Sequence, residues 1–213
     1  MFYKHHGTQG LETVLSPISP FTKKYTIKVA LRDVSPMVWR RFRLASDTSL
    51  AYLHFIIQIA HGWDDEYLHK FRIYGKDYGI YHEGGIAFSD NPFHVTLETL
   101  KLEVGDRFTY EYNFFESWLH DIRVEEIKEN GSKKVPSCIG GNNMPGVTAF
   151  EEMDKMLEFA QALAEADDST TIGELRPFAQ AWASVRFDRQ RVNDQIDKLD
   201  PLNPVLESSY ILI

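Results

Sequence analysis

From Tyr25 onward the chain alternates between apolar and polar positions. Tyr25, Ile27, Val29 and Leu31 share one parity, and Thr26, Lys28, Ala30 and Arg32 the other. That two-residue period belongs to a half-buried strand. Asp33-Val34-Ser35-Pro36 predicts a turn, and residues 37–44 a second strand with Val38, Phe42 and Leu44 on one face. The period then lengthens. Leu50, Leu53, Ile57 and Ala60 recur at helical spacing, with Asp47 or Thr48 placed to cap the start and Gly62 to end the helix. Short strands follow at 68–74 and 78–81, separated by a turn at Gly75. Gly84-Gly85 and Asn91-Pro92 bracket a loop, 94–97 reads as extended and 97–100 as a helical turn. Two further strands are predicted. One, at 108–114, puts Phe108, Tyr110, Tyr112 and Phe114 on one face; the other, at 118–127, aligns Trp118, His120, Ile122 and Val124.

The flanks differ from this middle. Residues 1–22 show no clean period and carry Gly7, Gly10, Pro17 and Pro20, which predicts an irregular arm. Asn130-Gly131 closes the strand-rich half, and a Gly/Asn/Pro-rich connection occupies 136–146. After it Phe150, Met153, Leu157, Ala160 and Ala164 line one side of a helix. A polar break at 167–171 precedes a last helical region around 175–199, started or broken at Pro177. Hairpin, helix, strands and then helices make an α+β protein. The expectation is a mostly antiparallel sheet with one packed helix, a β-grasp-like core, and helices at the C-terminus. The division expected is an arm at 1–22, a core domain at 23–135, and a connecting loop with helices packed on the core at 136–213.

Composition narrows the class. With 43% hydrophobic and 25% charged residues among 213, this is an ordinary globular chain. A mean hydropathy of −0.33, with no apolar run near about 18 residues, argues against a membrane-spanning helix. The single cysteine, Cys138, excludes an internal disulfide framework or a Cys-rich zinc module. The opening residues, Met1 to His6, lack the apolar stretch of a secretory signal, so a cytoplasmic location is the expectation. A net charge of −8 disfavours nonspecific nucleic-acid binding by the chain as a whole. The charge is uneven, however. Residues 1–60 carry +5 and the remainder −13, much of the excess lying on the predicted C-terminal helices. A local basic surface therefore remains open.

Four histidines are predicted near apolar surface. His54 and His61 lie about two turns apart on the helix, His69 shares a strand face with Phe71, and His120 shares one with Trp118. A neutral imidazole in such a place can ligate a metal or exchange a proton. The spacing matches no H-E-x-x-H pattern, so the expectation is four partly buried histidines bonded to backbone or carboxylate, and no metal site. Trp63-Asp64-Asp65-Glu66-Tyr67 clusters three acids able to hold a cation through oxygen, but a polar loop anchored by its Trp is the expected reading. Arg40 shares a face with Val38, Phe42 and Leu44 and must pair with a carboxylate or with carbonyls; Glu116 is a candidate. Arg41 and Arg43 share the opposite face with Trp39, an arrangement that can grip nucleic acid. Cys138 reads as a loop or buried thiol. Neither a P-loop nor a dinucleotide-binding glycine pattern is present, so no nucleotide cofactor is expected.

A run of phrases resembles one family. These are Pro36-Met37-Val38-Trp39-Arg40-Arg41-Phe42, Leu50-Ala51-Tyr52-Leu53-His54, Ile57-Gln58-Ile59-Ala60-His61-Gly62-Trp63, Leu68-His69-Lys70-Phe71 and Tyr112-Asn113-Phe114-Phe115-Glu116-Ser117-Trp118-Leu119-His120. Together with Phe187-Asp188-Arg189-Gln190-Arg191-Val192-Asn193, they are similar to the plasmid pRiA4b ORF-three-like family, also described as passenger proteins of insertion elements. The resemblance implies an α+β domain associated with mobile elements and supplies no reaction. The chain departs from the family's usual Tyr-Asp-Phe-Gly-Asp at Tyr112-Asn113-Phe114-Phe115-Glu116, losing one acid and a glycine. It keeps Pro136-Ser137-Cys138 but replaces a Pro-Pro-Glu-Asp-Cys-Gly-Gly segment with Asn142-Asn143-Met144-Pro145-Gly146. Metal or thiol chemistry in that loop is therefore not expected.

Three functional expectations result. The first is a non-enzymatic binding or accessory domain, meeting a protein or nucleic-acid partner through Trp39, Arg40, Arg41, Arg43, Trp63 and Trp118, without cofactor or membrane. The second is a metal- or His-dependent hydrolase or nuclease-like enzyme using His54, His61, His69 and His120 with Asp64 or Glu116. The third is weak DNA binding through a positive patch. Convergence of three of those histidines within ligand distance around a pocket favours the second; histidines each separately packed and hydrogen-bonded disfavour it.

Overall fold

The computed structural model describes residues 23–129, 134–145, 149–167 and 169–200, so the arm expected at 1–22 lies outside the described residues. The strands are β1 (Lys24–Leu31), β2 (Trp39–Ala45), β3 (His69–Ile73), β4 (Lys76–Tyr78), β5 (Arg107–Tyr112), β6 (Trp118–Lys128) and β7 (Ser137–Asn142). The helices are α1 (Leu50–His61), α2 (Ala149–Glu165), α3 (Ile172–Ser184) and α4 (Arg189–Ile196). Among the described residues the strands form one sheet in the order β4-β3-β5-β6-β1-β2-β7. The architecture is α+β, as expected. The β-grasp detail finds no support in the pairing, because every neighbouring pair runs antiparallel.

One face of the sheet carries the core. Tyr25, Ile27, Val29, Phe42, Leu44, Phe71, Phe108, Tyr110, Ile122 and Val124 are buried on it, and α1 packs with them. Every residue of α1 is buried, including His54, Gln58 and His61. A helix buried all round has no solvated stripe, so its polar side chains must find partners inside. Ser49 caps α1, its hydroxyl accepting from the Tyr52 N–H at 3.1 Å. The expected caps Asp47 and Thr48 do not serve. The Thr48 carbonyl instead accepts from the Leu97 N–H, and Ser49 bridges Thr96. Leu50 and Ala51 donate their otherwise unpaired N–H groups to the carbonyls of Val95 and Pro92. The long loop after β4 is thereby fastened to the start of the helix. Gly62, at φ 73°, ends it as predicted.

The connection expected at 136–146 is largely a strand. β7 extends the sheet at the edge beside β2, and its glycines make room for rings: a Cβ on Gly141 would sit 2.6 Å from the Phe187 ring. The Asn193 side chain, on α4, accepts from the Cys138 N–H at 2.8 Å and donates to the Cys138 carbonyl at 2.9 Å. This amide covers β7 as a neighbouring strand would, and blunts the open edge. The last helical region is two helices. α3 runs through Pro177, and the break falls instead before α4, which Asp188 caps by accepting from the N–H groups of Gln190 and Arg191. α4 lies against β7 and α1, whereas α2 and α3 pack on each other.

Candidate metal centre

Four elements bring their polar side chains together beneath the sheet: α1 with His54 and Gln58, the loop after it with Asp65, β3 with His69, and β5 with Tyr110. Asp65 stands at φ 62°, a left-handed conformation that Asp tolerates better than most residues. That turn aims its N–H at the Gln58 Oε1 at 3.1 Å and its carboxylate at the His54 Nε2 at 2.7 Å. The backbone N–H can only donate, so Gln58 presents its oxygen there and its amide N–H donates to the Tyr110 hydroxyl at 2.8 Å. Tyr110 in turn donates to the His54 Nδ1 at 2.8 Å. The proton of His54 therefore sits on Nε2 and is donated to Asp65. Gln58, Tyr110, His54 and Asp65 close a ring of hydrogen bonds.

His69 lies on this ring. Its imidazole stacks on that of His54, with centroids 3.5 Å apart and planes 12° from parallel. The Ile80 N–H reaches the His69 Nε2 at 3.4 Å, a long contact, and the buried Nδ1 has no partner among the described residues. One ligand atom from each of His54, Asp65 and His69 falls within 4.8 Å of the others. Burial holds both imidazoles neutral. His54 is pushed down to about 3, and His69 falls well below the ordinary value. The same desolvation raises the Asp65 carboxyl to about 6, with 16% of that side chain exposed. His82, exposed on the loop after β4, acts electrostatically on all three groups. Gly79 starts that loop against β3, where a Cβ would meet the His69 carbonyl at 2.7 Å.

The other two histidines form a separate pair. His61 and His120 meet edge to face at 5.1 Å, and Trp63 stacks on His61 at 4.8 Å. The Nε2 atoms of both are buried without a partner among the described residues. Arg40 lies nearby, fully buried, and donates to the carbonyls of Ala60, Trp39 and Asn142 at 2.7, 2.8 and 3.0 Å. Its guanidinium sits 4.4 Å over the Phe187 ring. Carbonyls thus satisfy it. The Glu116 partnership is not formed, since that exposed carboxylate accepts from the Trp118 Nε1 at 3.0 Å. Burial lowers Arg40 to about 10 and His120 to about 4. Full burial also removes Arg40 from any direct contact with a partner.

The remaining expected positions divide between two places. Trp63 and Trp118 contact each other at 4.7 Å at one end of the sheet, beside the β5–β6 turn. Trp39, Arg41 and Arg43 lie half-buried on the sheet face opposite α1, where Arg41 pairs with Glu125 at 2.6 Å. Asp64 does not join the centre; its neighbour Asp65 does. Gln58 and Tyr110 were not singled out in the sequence. Tyr110 carried a signal, since it falls on the buried face of β5; Gln58 carried none, because α1 is buried on every side.

A family model described as plasmid pRiA4b ORF-3-like protein matches residues 23–195, nearly the whole described chain. The chain belongs to that family. The uncharacterised protein y4hQ of Sinorhizobium fredii strain NGR234 is 32% identical over 103 residues, covering 46% of this chain. The match spans 52% of y4hQ, about half its length. A crystal structure of MM3350, a protein of unknown function from Methanosarcina mazei Go1, superposes with a TM-score of 0.54 at 20% identity. It covers 80% of this chain and 97% of MM3350, a likeness of fold alone. The departures from the family pattern have structural correlates. Asn113 takes φ 52° in the β5–β6 turn, where Asn is tolerated, and its side chain accepts from the Phe115 N–H at 3.2 Å. Phe115 is 96% exposed.

Proposed function

We propose that this pRiA4b ORF-3-like protein binds a divalent transition metal through His54, Asp65 and His69 and uses it in hydrolytic chemistry. The observation carrying this reading is the convergence of two neutral, stacked imidazoles and a carboxylate within 4.8 Å, with the His69 Nδ1 buried and unpartnered. Two imidazoles and one carboxylate suit zinc, and three protein ligands leave a position for water. A divalent ion there would supply Lewis-acid activation of that water.

The residues must rearrange to accept it. The proton on the His54 Nε2 moves to Nδ1, which then donates to the Tyr110 oxygen and keeps the ring oriented. His69 likewise gives up its Nδ1 proton to Nε2, at the expense of the long Ile80 contact. Each reversal costs on the order of 1–3 kcal/mol for a group left without its partner. A bound ion would have to offset these costs, and its affinity would fall at low pH as the ligands protonate.

The mobile-element setting attached to this reading rests on family resemblance alone. The test is chelator-sensitive hydrolysis of an activated phosphodiester such as bis(p-nitrophenyl) phosphate. The expected result is activity lost with chelator, restored by zinc or manganese, and absent in Asp65→Asn. Activity that survives chelation, or persists in Asp65→Asn, overturns the hydrolytic reading.

A further inference from the structure

The sheet face opposite α1 carries a row of cations that pairwise sequence spacing does not reveal. Arg107 on β5 lies directly opposite Arg123 on β6. Arg123 lies opposite Lys28 on β1, and Lys28 opposite Arg41 on β2. Four adjacent strands thus place four positive side chains in one line, about 4.8 Å apart from strand to strand. Like charges directly opposite destabilise a sheet, and here three such juxtapositions follow one another.

One acid offsets part of this repulsion: Glu125 acts electrostatically on Arg41, Lys28 and Arg123. Glu125 pairs with Arg41 at the end of the row at 2.6 Å. Asp121 is taken by Arg32, Glu111 by Lys70 at 3.0 Å, and Asp77 by Arg72 at 3.3 Å. Among the described residues, Lys28, Arg107 and Arg123 have no carboxylate in ion-pair contact. Arg107 and Arg123 are exposed. Beside the row lies Trp39, whose ring packs 3.4 Å from where a Cβ on Gly140 would stand. The Lys28 ammonium and Arg41 guanidinium sit 5.3 and 5.0 Å from the centre of that ring.

We infer that this row is a docking site for a single strand of nucleic acid, its phosphates crossing the sheet along Arg107, Arg123, Lys28 and Arg41. A polyanion relieves the repulsion that the folded sheet tolerates, and the half-exposed indole offers an apolar surface beside it for a base. The chain is acidic overall, so the attraction is confined to this face, which favours a thin strand over a broad duplex surface. The inference is independent of the metal centre, which lies on the opposite, α1-covered side of the sheet.

The test is binding of a fluorescein-labelled oligothymidylate to the full chain in chelator. At low salt binding is expected, and the slope of log K against log salt should be about −2 to −3 for three to four phosphates. Arg107→Gln with Arg123→Gln should weaken binding tenfold or more and flatten the slope. The same pair should raise the melting temperature, because the removed charges oppose each other. Arg72→Gln, off the row on the same face, should change binding less than twofold. Absence of binding at low salt overturns the inference, as does equal weakening by Arg72→Gln. Displacement by polyglutamate as effective as by unlabelled oligonucleotide would also overturn it, assigning the row to an acidic protein.

Discussion

Tyr110 is the side chain on which the buried ring of hydrogen bonds turns. Its hydroxyl accepts from Gln58 and donates to His54, both at 2.8 Å. Tyr110→Phe keeps the aromatic volume but leaves the Gln58 amide and the His54 Nδ1 unpaired in a dry interior. Each orphan costs about 1–3 kcal/mol, so urea unfolding should show a loss of roughly 2–6 kcal/mol with an unchanged slope. A change below 0.5 kcal/mol would mean that water replaces the hydroxyl, and the tautomer assigned to His54 would lose its basis. At this scale the sequence was partly legible. The parity of β5 and the phase of α1 place His54, His69 and Tyr110 inward, and the structure agrees. The choice of Asp65 over Asp64 was not legible. It depends on the left-handed turn at Asp65 after the helix, which no period encodes.

β7 shows how far an element depends on its neighbours. Its sequence, Ser-Cys-Ile-Gly-Gly-Asn, has little strand propensity, and it reads as a connection. Three things outside it make it a strand: the edge of β2, the Phe187 ring that needs Gly141, and the Asn193 amide. Asn193→Ala removes two hydrogen bonds and should destabilise the protein by about 1–3 kcal/mol. Amide exchange should accelerate over 137–142 more than over β1 or β6, whose ladders do not depend on α4. Uniform acceleration across the sheet would contradict the local role. β1, β2 and α1 were readable because their apolar residues recur at spacings near two and 3.6 in the sequence, even though α1 is buried on every side. The break between α3 and α4 was not, since Pro177 was the stronger local signal and the Asp188 cap decides.

For the whole molecule, buried neutral histidines set the response to acid. His61 and His120 lie beside the Arg40 guanidinium, and burial and that charge both hold their values below the ordinary 6.5. The folded protein therefore requires the neutral rings. Their contribution is complete above pH 6.5 and declines as pH falls toward about 4, where His120 protonates in the folded state. For His120 alone the loss approaches about 3 kcal/mol. Unfolding midpoints in urea should fall steadily between pH 6.5 and 4, and His120→Gln should lessen that dependence, leaving the share of His54, His61 and His69. An equal slope in the variant would place the acid sensitivity elsewhere.

The fold class and the inward placement of the histidines were legible from periodicity, whereas the grouping of His54 with His69 and of His61 with His120 came only from the order of strands. β3 reaches His54 because it pairs with β5 across the sheet, a contact that no local pattern announces. That grouping is what the metal proposal rests on, and metal content tests it most directly. Full-length protein prepared without a metal-affinity step would be stripped with chelator, loaded with zinc, desalted and assayed for retained metal. The account predicts one equivalent in the natural chain and at least a tenfold loss of affinity in Asp65→Asn and His69→Gln variants that keep their circular dichroism. No retained zinc, or one equivalent in all three proteins, would contradict it.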